Sequence, residues 1–82
     1  NPFNPSTLFS WSQPRPGKVR LEIFDVSGRW VALACEGWYE AGSHTFEWEA
    51  RAPGGEALLS GVYLYRLSLG VSRVARKMVI LR

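Results

Sequence analysis

Histidine and cysteine each occur once in this 82-residue chain, at His44 and Cys35. One cysteine excludes an intrachain disulfide. One histidine beside one cysteine leaves a zinc site short of ligands. No apolar run approaches the roughly 18 residues that a membrane-spanning helix needs. Lysine and arginine exceed aspartate and glutamate only by 10 to 7, and only Arg73, Arg76, Lys77 and Arg82 come near to clustering. That excludes the dense basic face, interleaved with aromatics, by which proteins hold nucleic acid. The chain contains no signal peptide, and it begins with Asn1 rather than Met. It therefore reads as a processed product or a piece of a longer protein.

What is abundant is aromatic. Four Trp, four Phe and three Tyr stand in a chain that is 46% hydrophobic and 21% charged. A domain this short buries only about 60% of the surface that its unfolded chain exposes, so large apolar side chains must supply the core. The chain reads as one domain over residues 1–82, with residues 1–6 an extended lead-in. Pro2 and Pro5 push the residues before them towards extended geometry and leave Phe3 free to plug into another surface.

The rest alternates short β-type runs with turn signals and holds no helical period. Leu8 to Gln13 places Phe9 and Trp11 on one face and Ser10 and Ser12 on the other, before Pro14 to Gly17 stops it. Lys18 to Asp25 is the clearest strand: Val19, Leu21 and Ile23 point one way, and Lys18, Arg20 and Glu22 the other. Asp25-Val26-Ser27-Gly28 reads as a hairpin turn, in which the Asp carboxylate bonds nearby backbone N–H groups and Gly28 takes a positive φ. Trp30 to Cys35 returns as the partner strand, and Gly37 to Gly42 reads as a loop containing Trp38 and Tyr39. His44, Phe46 and Trp48 alternate with polar residues, and Pro53-Gly54-Gly55 is a turn cluster. Gly61 to Leu69 is apolar on both faces, as a central strand is, and Ser72 to Leu81 closes the chain. About seven such strands with Gly and Pro between them predict an all-β antiparallel sandwich.

Residues with chemical potential are few. His44 with Ser43 or Ser60 and Asp25 could form a triad only if the fold brought them together; its alternation with Phe46 and Trp48 points to a structural histidine. Glu47 and Glu49 share a strand face, which could suit a glycosidase or, with Asp25, a surface Ca²⁺, but a solvated face is the simpler reading. Cys35 reads as a small buried hydrophobe, with an interchain bridge as the alternative. No catalytic residue, cofactor site, metal site or small-molecule substrate is expected. Trp11 and Trp48 read as core. Trp30 and Trp38 flank turns and, with Tyr39, read either as caps on a small core or as a protein- or glycan-binding patch.

Taken in order, five segments carry a family resemblance across nearly the whole chain. They are Asn1-Pro2-Phe3-Asn4-Pro5-Ser6-Thr7; Val19 to Asp25 followed by Gly28-Arg29; Ala41-Gly42-Ser43-His44; Ser60-Gly61-Val62-Tyr63 with Tyr65-Arg66-Leu67; and Lys77-Met78-Val79-Ile80-Leu81-Arg82. The pattern resembles the C-terminal sorting domain of proteins exported by the type IX secretion system, and the related immunoglobulin-like domain of the flagellar hook-capping protein. Three positions depart from it: Ala50 stands where the family often places Gly, and Trp30 and Trp38 are bulkier than the family pattern.

The resemblance implies an immunoglobulin-like antiparallel β-sandwich at the C-terminus of a longer surface or secreted protein. It implies a non-catalytic address label that outer-membrane secretion machinery reads, so that the cargo reaches the bacterial cell surface after crossing the periplasm. The implied recognition element is Lys77, Met78, Val79, Ile80, Leu81 and Arg82, together with Gly61, Val62 and Tyr63. Two other expectations stand beside it. The module could persist as a structural subunit that assembles with neighbouring copies through its terminal segments, with Phe3, Trp30, Trp38 and Tyr39 as a surface patch. Or it could bind carbohydrate through Trp30, Trp38 and Tyr39.

Overall fold

Alternating side chains become strands, and the computed structural model, which describes residues 6–81, has six of them. They are β1 (Thr7–Gln13), β2 (Gly17–Asp25), β3 (Trp30–Tyr39), β4 (Gly42–Trp48), β5 (Gly61–Leu69) and β6 (Ser72–Ile80). β1 and β4 form a two-stranded antiparallel sheet, and the other four form an antiparallel sheet in the order β3-β2-β5-β6. The chain is thus an all-β two-sheet sandwich, as expected. Among the described residues it has six strands rather than about seven, because the segment between Trp48 and Gly61 contributes only the bridge between Arg51 and Ala57. Asn1 to Pro5, with the expected plug residue Phe3, and Arg82 lie outside the described residues.

The β2–β3 turn closes as its sequence requires. The Asp25 Oδ1 accepts hydrogen bonds from the Ser27 amide (2.9 Å), the Ser27 hydroxyl (2.6 Å) and the Arg29 amide (3.0 Å). Gly28 has φ +90°, a conformation that a Cβ would disfavour. Beyond Cys35, β3 does not end in a loop: Gly37 pairs with Val19, Trp38 with Lys18 and Tyr39 with Gly17. β3 needs those extra residues to run the full length of β2.

The core lies between the sheets. Val19, Leu21 and Ile23 of β2 are 0% exposed and face Phe9, Trp11 and Trp48 of the smaller sheet. The Phe9 ring meets Tyr65 of β5 edge-on at 5.0 Å, and the Trp11 ring meets Tyr39 of β3 at 5.3 Å. Gln13, buried at the end of β1, keeps its polar atoms paired, as burial demands. It accepts from Trp11 Nε1 (2.9 Å) and donates to the carbonyls of Arg15 (3.0 Å) and Tyr39 (3.3 Å).

Coverage by the smaller sheet is uneven. The inward residues of β2 are sealed, whereas Tyr65, Leu67 and Leu69 of β5 are only half-buried. On β6, Val74 is 41% exposed and Arg76 is exposed. Only the far end of β6 is closed, by the buried side chains Met78 and Ile80.

Ala50 has φ +57°, the left-handed region that glycine enters without penalty, and its methyl is buried. A glycine, which the family resemblance would place there, would adopt that conformation without penalty. A branched side chain there would add strain that alanine avoids, so Ala50→Val should lower stability by about 1–3 kcal/mol in denaturant unfolding. Leu21→Ala, at the sealed centre, should cost about 2–5 kcal/mol in the same measurement.

Candidate functional site

The described residues of the two segments implicated by the family resemblance lie side by side. In the β5–β6 ladder Gly61 pairs with Ile80, Val62 with Val79 and Tyr63 with Met78. Tyr63 is fixed further by its hydroxyl, which donates to the Leu59 carbonyl at 2.8 Å. β6 is an edge strand, so beyond β5 its other row of backbone groups has no strand partner among the described residues. Met78 and Ile80 turn inward and are buried; Lys77, Val79 and Leu81 are exposed. The result is a two-stranded patch, one strand central and one at the edge, with an apolar outer row of Val62 and Val79.

The outer face of the larger sheet carries a charge network that sequence reading missed. Glu22 is 6% exposed although it points away from the core. It accepts a hydrogen bond from Arg66 Nη2 at 2.9 Å and pairs with Arg20 Nε at 3.3 Å. Arg20 reaches on to Glu36 at 2.6 Å, and the Arg66 guanidinium lies 5.0 Å over the Phe24 ring. Burial alone would push the Glu22 carboxyl up, but the hydrogen bonds and charges of Arg66 and Arg20 outweigh it and hold the pKa below the ordinary value. The signal was present: Arg20 and Glu22 alternate on β2, and an internal strand such as β5 sets Arg66 directly opposite Glu22. What could not be read was which strands would be neighbours.

The aromatic patch is not assembled as expected. Trp30 (45% exposed) and Trp38 (67% exposed) sit at opposite ends of β3, eight residues apart, which is about 26 Å along a strand. Tyr39 turns inward, where its ring contacts Trp11 and His44 and its hydroxyl lies 3.0 Å from Cys35 Sγ. That hydrogen bond and burial raise the Tyr39 pKa. These three side chains therefore form no common platform for a sugar ring, and neither tryptophan caps the core. Trp30 instead stands opposite Phe24 on the outer face.

The remaining candidates are separate. His44 packs between Trp11 and Tyr39, and its Nε2 lies 2.6 Å from the Glu40 carbonyl, which can only accept. Asp25 is held in the β2–β3 turn, where the Ser27 hydroxyl and the amides of Arg29 and Ser27 lower its pKa. Glu47 accepts from Ser6 Oγ at 2.7 Å, and Glu49 lies 3.8 Å from Arg51. No group of three or more His, Cys, Asp and Glu that could hold a metal occurs among the described residues. Cys35 is a buried free thiol within the core cluster. No helix among the described residues is long and apolar enough to cross a membrane.

No family model matches the sequence, and no curated protein does so either. Among solved structures, the crystal structure of dimeric latent PorU from Porphyromonas gingivalis contains a similar fold. The TM-score is 0.73 at 23% identity, over 96% of this chain and 8% of that one. The likeness is one of fold, and the chain spans less than a tenth of the length of that protein.

The Glu22 network sets a pH dependence. Because the folded-state pKa is lowered, its contribution is full above the unfolded value near 4.5 and is lost as pH falls through the folded value. Glu22→Gln should cost about 1–3 kcal/mol at neutral pH. The gap between variant and parent should close on acidification below pH 4.5, as followed by thermal melts across pH.

Proposed function

We propose that this chain is a non-catalytic C-terminal sorting and anchoring module that directs a longer protein to the bacterial cell surface by type IX secretion. One observation carries the reading. The two segments that the family resemblance assigns to recognition, Gly61 to Tyr63 and Lys77 to Arg82, are far apart in sequence, yet their described residues are hydrogen-bonded neighbours at one sheet edge. Support also comes from the fold, which is shared with a small part of latent PorU from Porphyromonas gingivalis.

The physics suits an address label. An edge strand offers free backbone groups to a receptor strand or loop, and its exposed side chains supply selectivity. Here those side chains are Lys77, Val79 and Leu81, with Val62 alongside. The partner in this reading is the outer-membrane secretion machinery, and the destination is the cell surface or the medium after passage through the periplasm. The same exposed edge serves the second reading, a structural subunit that pairs with neighbouring copies through its terminal segments. Sedimentation separates the two: a concentration-independent monomer removes the second.

Fusing residues 1–82 to a reporter in a type IX-competent bacterium should place the reporter on the surface or in the medium; retention in the periplasm would refute the proposal. Val79 is 57% exposed, so Val79→Glu should change stability by no more than about 0.5 kcal/mol. It should nevertheless reduce export, measured by surface labelling of the fusion.

A further inference from the structure

Beside the free edge of β1 the sandwich is one strand short. The space is a slot of about 250 Å³ lined by Phe9 to Ser12 of β1, Leu21 of β2, Tyr65, Leu67 and Leu69 of β5, and Val74 and Arg76 of β6. Its floor is ordered by the ladders: Leu21 pairs with Leu67 and Leu67 with Val74, while Tyr65 pairs with Arg76. Its wall is the edge of β1 that faces away from β4, with no strand partner among the described residues. Burial falls away across this floor, from 0% exposure at Leu21 to 41% at Val74. Arg76 makes no ion pair among the described residues, whereas Arg20 and Arg66 both do.

We propose that this slot binds an extended peptide strand of another polypeptide, which pairs with β1 and completes the smaller sheet. Backbone pairing to β1 supplies the ladder, and alternate side chains of the guest point down onto β5 and β6. Val74 and Arg76 lie two residues apart, so consecutive inward side chains of the guest face an apolar floor and then a lone cation. The guest is therefore an alternating apolar strand carrying one carboxylate among its inward positions. This charge complementarity selects against a neutral or basic strand.

A second copy of this chain fits poorly. Val74 and Arg76 lie beneath the space next to β1, so β6 reaches about one strand width past it. Were two copies to meet edge to edge on this side, their larger sheets would touch first and hold the two β1 strands about 14 Å apart, about three times the usual strand spacing. The chain's own Pro2 and Pro5 cannot donate to a ladder, which disfavours the five residues before Ser6 as the guest. The proposal goes beyond the sorting reading, because it concerns the inner side of the sandwich and not the outer edge of β6. A failed titration would leave that reading intact.

The test is a titration of the full 82-residue chain with a capped peptide that alternates threonine with valine and has one valine replaced by glutamate. Amide exchange followed by NMR should slow in β1, with no change along β3. A peptide with lysine in place of the glutamate should bind at least about fivefold more weakly, which corresponds to about 1 kcal/mol. Arg76→Glu should reverse that preference. Val74→Trp, at an exposed position, should fill the slot and abolish binding while the circular dichroism spectrum stays that of the parent; it keeps the test valid if the charge reversal unfolds the chain. Absence of slowed exchange in β1 at millimolar peptide would overturn the proposal. So would equal affinity for the two peptides, protection confined to β3 or the outer edge of β6, or resonance changes confined to residues 1–6.

Discussion

Two strands cannot cover four, and most of this molecule's character follows from that. At ordinary strand spacing a four-stranded sheet is about 19 Å wide and a two-stranded one about 10 Å. The smaller sheet therefore has to choose what to bury. It covers β2 and much of β3, where Val19, Leu21, Ile23, Ala32 and Cys35 are buried, and leaves the β6 side open. Large rings extend its reach. Phe9 leans across to Tyr65 and Trp11 to Tyr39, so aromatic span replaces missing strands. The abundance of Trp, Phe and Tyr is the sequence's answer to a sheet that is too narrow.

The outer face solves a different problem. No strand among the described residues covers it, yet it contains Phe24, Leu64 and the buried carboxylate of Glu22. Arg66 addresses both, since its guanidinium covers the Phe24 ring while Nη2 holds Glu22. Long cationic side chains cover apolar surface with their stems and stay hydrated at their heads. The Arg20, Glu22, Glu36 and Arg66 network thus acts as a thin polar lid across β3, β2 and β5 at the middle of the sheet. Towards the Trp30 end that lid stops, and apolar side chains remain in the open.

How much of this was legible depended on whether the signal was local. The period-two pattern of Lys18 to Asp25 and the Asp-Val-Ser-Gly turn are decided within a few residues, and both read correctly. The two apolar faces of Gly61 to Leu69 correctly placed β5 inside a sheet. β3 was cut short because Gly37 looks like a breaker, and because register shifts opposite Leu21/Glu22 and Ile23/Phe24 blur its alternation. Its true length is imposed by β2, a tertiary fact. The strand count fell from about seven to six because the 50–60 segment folds as a loop with a single bridge. Trp30 and Trp38 were grouped because both flank turn signals, but a straight strand keeps their ends apart. The Glu22–Arg66 pair spans 44 residues of sequence, and only strand order brings it together.

The open side also explains how β6 can be held and yet available. A strand's resistance to local opening comes from the apolar contacts it must break. On β6 these are concentrated at Met78 and Ile80, near its end, while Ser72 to Lys77 are exposed. Its other attachment is the ladder to β5. Exposed edges invite indiscriminate pairing unless charges interrupt them, and Arg73, Arg76 and Lys77 lie along that stretch. The anchored portion is also the portion that pairs with Gly61 to Tyr63. In the sorting reading, a receptor at the end of β6 would meet its most buried part, presented beside a fixed neighbour. The charged and weakly covered start of the strand keeps other chains from mistaking it for a partner.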